Sequence, residues 1–203
     1  DKPRVSHEVL AQYHENLICC SACLAGEVPR NIVDGDLEAA RTAILWHKEL
    51  FGEDYYLEVQ LHKTEVPGLS PEVYEKQLVS NEAIFRLAQE LGVKVVASND
   101  VHFIRKEDGP AHDRLICLTT NAFVDDPDRM RYTQQEYLKS EEEMAAIFPD
   151  HPEALANTLE VCNKIESFHG TLFCGGINYF PHNTIVDNPY DVSDFEFHVN
   201  HPP

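Results

Sequence analysis

An α/β fold built on parallel strands is what this sequence predicts. Short apolar stretches of strand length alternate with amphipathic stretches of helix length. The stretch 93–98 is apolar almost throughout, as a parallel strand covered on both faces is. Residues 55–62 alternate with a period of two.

Taken in order, residues 6–15 read as a helix and 17–22 as a short buried strand. Residues 36–51 form an amphipathic helix in which Leu37, Ala40, Ile44, Leu45 and Trp46 recur near helical spacing; Asp36 or Asp34 caps it and Gly52 stops it. In 55–62, Tyr55, Leu57, Val59 and Leu61 share one face and Glu58, Gln60 and His62 the other. A helix over 74–91 ends at Gly92, and the apolar strand 93–98 follows. Residues 113–119 begin another helix, with His112-Asp113 as its N-terminal pair. The stretch 121–131 reads as loop, and 140–148 and 153–165 as two final helices. From about residue 167 the chain lacks periodicity, and poor packing or disorder is expected there.

Composition narrows the function classes. The chain has 203 residues, enough for one domain with a sizeable core. Its formal net charge is −19, which repels phosphate backbones and argues against a broad nucleic-acid grip. No apolar run approaches the ~18 residues of a membrane span and no signal-peptide core is present. Six cysteines in a chain this rich in aliphatic residues point to free thiols in a reducing compartment, hence the cytoplasm. The first residue is Asp1, so a processed or internal piece is expected.

Three places carry residues fit for chemistry. Ser98-Asn99-Asp100-Val101-His102 follows the apolar strand directly. In a parallel α/β fold, sites are built at that end of a strand. Read locally, Asp100 and His102 are either divalent-metal ligands or an Asx helix cap beside a surface histidine. Cys23, before Gly26, ends an earlier strand; its thiol either faces the same mouth or is an inert buried cysteine. Cys20-x-x-Cys23 has no second CxxC, which argues against a closed zinc knuckle. Glu58, Gln60 and His62 either line a site or form the exposed face of an edge strand. Asp125-Asp126-Pro127-Asp128 lacks the later ligands of a calcium loop. No phosphate-loop, GxSxG or HExxH motif occurs.

The ordered series of segments is more specific than any one of them. Lys2-Pro3-Arg4-Val5, Cys23-Leu24-Ala25-Gly26-Glu27, Tyr56-Leu57-Glu58-Val59-Gln60, Ser98-Asn99-Asp100-Val101-His102-Phe103, Ala111-His112-Asp113-Arg114 and Asp125-Asp126-Pro127-Asp128-Arg129-Met130-Arg131-Tyr132 stand in sequence. This series resembles the PHP (polymerase and histidinol phosphatase) domain of bacterial replicative polymerase alpha subunits, the DNA polymerase III family, over residues 2–166. The resemblance implies a partial distorted (β/α)7 barrel lacking its N-terminal strands, followed by C-terminal helices. On this basis 1–135 is the C-terminal part of the PHP domain, 136–166 a helical segment leading toward the palm, and 167–203 an unmatched tail. It further implies that Cys23, Asp100 and His102 are metal positions of a 3′–5′ exonuclease centre using zinc or manganese. Glu58 and His62 stand behind them as orienting groups, and Arg129 and Arg131 are expected phosphate contacts. The family's upstream ligands and the palm aspartates, with their magnesium, have no match in this chain, so the piece alone is expected to be inactive. Implied partners are primer-template DNA, other replisome subunits and a proofreading exonuclease. The alternatives are a stand-alone phosphoesterase of the histidinol phosphatase type and a non-catalytic scaffold. Thr120-Asn121-Ala122 departs from the family's Thr-Gly-Lys; Asn tolerates a left-handed backbone, but the lysine charge is lost.

Overall fold

Two βαβ crossovers build the sheet. The computed structural model describes residues 5–165 and the backbone of Phe173–Cys174 and Ile177–Asn178. The chain divides into two units, Asp1–Cys162 and Asn163–Pro203. In the first, β1 (Cys19–Cys20), β2 (Tyr55–Val59) and β3 (Lys94–Ala97) lie parallel in the order β1-β2-β3. Tyr56 stands opposite both Cys20 and Lys94, and Val59 opposite Ala97. The expected parallel α/β sheet is therefore present.

The helices of the crossovers are α2 (Glu27–Val33) and α3 (Leu37–Phe51) before β2, and α4 (Glu72–Leu91) before β3; α1 (His7–Gln12) precedes β1. Asp36 is the N-cap of α3: its carboxylate accepts from Ala39 N at 2.9 Å. Gly92 ends α4 in the left-handed conformation, φ 63° and ψ 47°, which only glycine adopts without steric cost. Ile44 on α3, Ile84 and Leu87 on α4, and Leu57 and Val59 on β2 are buried together with Val28, Ile32 and Phe51. Each large aliphatic side chain buried here contributes roughly 1.5–3 kcal/mol.

Several boundaries differ from expectation. β1 spans two residues instead of 17–22. α1 stops at Gln12, where Tyr13 leaves the helical conformation with φ −124° and ψ 24°, and Asn16 turns the chain further at φ 61°. β2 ends at Val59, so Gln60 and His62 leave the ladder, and both of its faces are covered: Tyr56 is fully buried. The helix expected from 113 begins at Gly109 (α5, Gly109–Thr120). Its first turn takes Pro110, whose missing N–H costs nothing there. His112 and Asp113 thus lie inside the helix, not at its start. Asn121 does adopt the left-handed conformation, φ 54° and ψ 43°.

α6 (Glu141–Ile147) starts with a capping box: Ser140 Oγ accepts from Glu143 N at 3.3 Å, and the Glu143 carboxylate accepts from Ser140 N at 2.8 Å. α7 (Pro152–Lys164) follows. Through Asn157 and Glu160 it touches the outer edge of β3. Asn157 Nδ2 donates to Val95 O at 2.8 Å. Glu160 accepts from Tyr56 OH at 2.7 Å and from Lys94 Nζ at 2.7 Å. No helix among the described residues is long and apolar enough to cross a membrane. In the second unit, β4 (Phe173–Cys174) and β5 (Ile177–Asn178) pair antiparallel. The rest of the expected tail, 167–203, lies outside the described residues.

Candidate functional site

Because the three strands run parallel, the segments after β1, β2 and β3 emerge at one end of the sheet. Ser21 N donates to Tyr56 O and Ser98 N to Val59 O, both at 3.0 Å, so the ladder holds these exits in place. Ala22 then takes φ 62°, an unusual conformation for a residue with a Cβ. Cys23 lies in the turn between β1 and α2, and Gly26 N donates to Cys23 O at 2.7 Å. A Cβ on Gly26 would stand 2.2 Å from Ser21 O, so this turn requires glycine for space, not for φ. Cys23 shares a small pocket with Glu58, Gln60, Gln77 and Asn81.

Asp100 and His102 stand at the exit of β3. Asp100 has φ 43°, and its Oδ1 lies 3.5 Å from His102 Nε2. The His102 ring sits 4.5 Å from Tyr132 and 5.5 Å from His112, centroid to centroid. The segment 133–138 holds this exit from the side. His102 N donates to Glu136 O at 2.8 Å and Leu138 N to Phe103 O at 3.2 Å. The buried Asn99 amide donates to Gln135 O at 2.8 Å and to Tyr137 O at 2.7 Å.

Behind the exits lies a layer of paired polar groups. The Glu58 carboxylate accepts from Ser98 Oγ and from Gln60 Nε2. His62 N donates to Gln77 Oε1 at 2.7 Å, which fixes that amide, so Gln77 Nε2 donates to His62 Nδ1 at 3.1 Å. The ring proton then sits on Nε2 and reaches Asn99 O at 3.3 Å. Burial is the main cause that lowers the His62 pKa below the usual histidine value, against the raising effect of Glu136. Glu136 is itself buried. Its Oε1 accepts from Thr133 N and Thr133 Oγ1, while Oε2 has no hydrogen-bond partner.

Of the expected site residues, Asp100 and His102 meet, and Glu58 and His62 stand in the layer behind the strand exits. Cys23 occupies the adjoining turn, but among the described residues it does not converge with Asp100 and His102 within 4.8 Å. Tyr132 packs on His102: burial first, then the charges of Asp100, Glu136 and Cys23, raise its pKa. Arg129 is engaged with protein groups. Its Nη atoms donate to Asp113 at 2.7 and 2.5 Å and its Nε to Val124 O at 3.0 Å, clamping the 121–131 loop to α5. That ion pair holds Asp113 below the usual carboxylate range. Arg131 is exposed. Although Cys20 is exposed, desolvation by the protein around it, with Glu58 and Cys19 nearby, pushes its thiol up to about 11, so Cys20 is a poor thiolate ligand. Asn99, His112 and Tyr132 stand inside segments that the sequence singled out, but were not read as site residues; Glu136 stands in no such segment, and the fold brings it, His112 and Tyr132 to the exit of β3.

Comparison with known proteins places the chain in a family. The family described as PHP domain matches residues 1–62. The DNA polymerase III subunit alpha of Borreliella burgdorferi is 40% identical over 168 residues, 82% of this chain. That of Campylobacter jejuni is 39% identical over 173 residues, 80% of this chain. That of Thermus aquaticus is 34% identical over 170 residues, 82% of this chain. The chain spans about one seventh of these relatives' length, 14%, 14% and 13% respectively. The alignments to the alpha subunits run well past the 62 residues of the PHP match. The chain therefore belongs to the DNA polymerase III alpha subunit family, over a stretch that includes part of its PHP domain.

Proposed function

We propose that this chain supplies one side of a metal-dependent phosphoesterase centre, with 3′–5′ exonuclease chemistry, within a cytoplasmic replicative DNA polymerase. The polymerase's nucleotidyl transfer, with its magnesium, belongs to a palm domain that this stretch does not match. The single observation that carries the reading is the Asp100–His102 pair, 3.5 Å apart at the C-terminal end of a parallel strand. A carboxylate and an imidazole, each partly exposed, suit a divalent ion such as zinc or manganese. Such an ion would supply positive charge against a phosphodiester and a water of lowered pKa.

The chain's own groups do the positioning. Asn99 and the 133–138 segment fix the backbone of 99–103. Glu58 and Ser98 tie β2 to β3 beneath the exits. Cys23 joins as a ligand if residues from elsewhere in the protein, such as the remaining strands of a (β/α)7 barrel, complete the ring. Arg131, exposed beside Tyr132, is free of the clamp that engages Arg129 and is the better phosphate contact. Primer-template DNA and the replisome subunits are the corresponding partners.

A non-catalytic scaffold that docks a proofreading subunit is the second reading, favoured by the net charge of −19. Asp100→Ala in the full-length polymerase separates the two. The exonuclease reading expects metal-dependent 3′–5′ activity to fall at least about a hundredfold while polymerisation persists. Unchanged exonuclease activity would sink it.

A further inference from the structure

A second cluster of ligand groups lies among the helices, sharing no residue with the strand exits. His7 opens α1, Glu27 opens α2 and His47 lies beyond the middle of α3. One ligand atom from each lies within 4.8 Å of the other two, the only such group of three among the described residues. His7 Nε2 stands 3.3 Å from Glu27 Oε2.

The two rings are held before any ion arrives. His47 Nδ1 is 2.8 Å from Ala43 O. A carbonyl can only accept, so the ring proton is on Nδ1 and the lone pair on Nε2. A histidine whose second nitrogen donates to a backbone carbonyl is the arrangement metal-binding imidazoles use, because it fixes tautomer and ring orientation together. The ring is further sandwiched: it stacks on Tyr55 at 5.2 Å and 15° and meets Trp46 edge-on at 4.8 Å. His7 stacks on the same Trp46 at 4.2 Å and 18°. An ion pair between His7 and Glu27 accounts for two of the three groups but not for the third ligand group beside them. Two imidazoles and one carboxylate form a zinc-type donor set.

We propose that His7, Glu27 and His47 bind a zinc-like divalent ion that pins α1 to α2 and α3. The pin has a purpose in this fold: α1 has six residues and buries none of them. Apart from Leu10, which packs partly buried against the core, and the stack of His7 on Trp46, a helix so short and exposed gains little from packing.

The test uses the 203-residue chain carrying Asp100→Asn and His102→Asn, so that the strand exits cannot report. Titration with zinc alone, followed by calorimetry, is expected to show about one ion per chain. Adding Glu27→Gln or His7→Gln to that background is expected to weaken zinc at least about tenfold each. Both side chains are substantially exposed, 52% for His7 and 40% for Glu27, so circular dichroism should show these variants folded. Cobalt in place of zinc is expected to give ligand-field bands without a sulfur charge-transfer band. Absence of zinc binding, affinity unchanged by both Gln variants, or a sulfur band that assigns the ion to a cysteine would each overturn the proposal. None of these outcomes bears on the Asp100–His102 reading, which is tested separately by exonuclease activity.

Discussion

Asn99→Ala tests how the strand-end site is held. The amide of Asn99 donates to Gln135 O at 2.8 Å and to Tyr137 O at 2.7 Å, and the residue is 7% exposed. The two acceptors differ in what they have left. Gln135 O also receives Lys139 Nζ, so it keeps a partner. Tyr137 O has no second donor of that kind. One lost bond to a served acceptor costs about 1 kcal/mol, and one orphaned buried carbonyl about 1–3 kcal/mol, giving roughly 2–4 kcal/mol in all. The assay is urea unfolding followed by circular dichroism, with Leu118→Ala as a control because that side chain is 80% exposed. The same variant should lower metal affinity at Asp100 and His102, since the 133–138 segment fixes the backbone of both. A destabilisation under about 1 kcal/mol would show that the backbone contacts of Glu136 and Leu138 hold this segment without Asn99 and would refute the reasoning.

Two further outcomes are expected. Gly26→Ala, which places a Cβ 2.2 Å from Ser21 O, should destabilise by at least about 3 kcal/mol, or displace the Cys23 turn; a wild-type unfolding midpoint would contradict this. The depressed pKa of His62 makes stability depend on pH. The unfolded chain takes up a proton as pH falls through 6.5, the ordinary value, while the folded chain resists protonation. Stability from this group is therefore fully present above that value and is lost as pH falls below it. His62→Gln should flatten the dependence of urea midpoints between pH 7 and 5, and an unchanged slope would exclude His62 as its source.

The sequence exposed the elements whose signals are local. Asp36, Gly52 and Gly92 marked helix ends by their own capping chemistry, and the apolar run before Ser98 marked β3 and hence Asp100 and His102. Readings failed where the deciding contact is distant. Residues 60–62 kept the alternation of a strand, yet leave it because Gln60 and His62 find Gln77, Asn81 and Asn99 as partners. The basic character of Arg129 suggested phosphate, but Asp113, sixteen residues earlier, takes its guanidinium. Glu136 carries no motif, and its burial beside His62 follows only from the path of 133–138 along residues 99–103. His7, Glu27 and His47 are spread over three helices with no spacing rule to unite them.

The contact between α7 and β3 also gives the sheet a direction of growth. Sheets enlarge by offering unpaired backbone to a new strand. On the β3 side, Val95 O already accepts from Asn157, and Glu160 bridges Lys94 and Tyr56 beside it. On the β1 side, no further strand stands among the described residues. Accretion of more strands, whether from another segment of the polymerase or from a second copy, has to begin at Cys19–Cys20. That seed is two residues long, which selects for an incoming strand anchored by contacts of its own and disfavours indiscriminate edge-to-edge assembly.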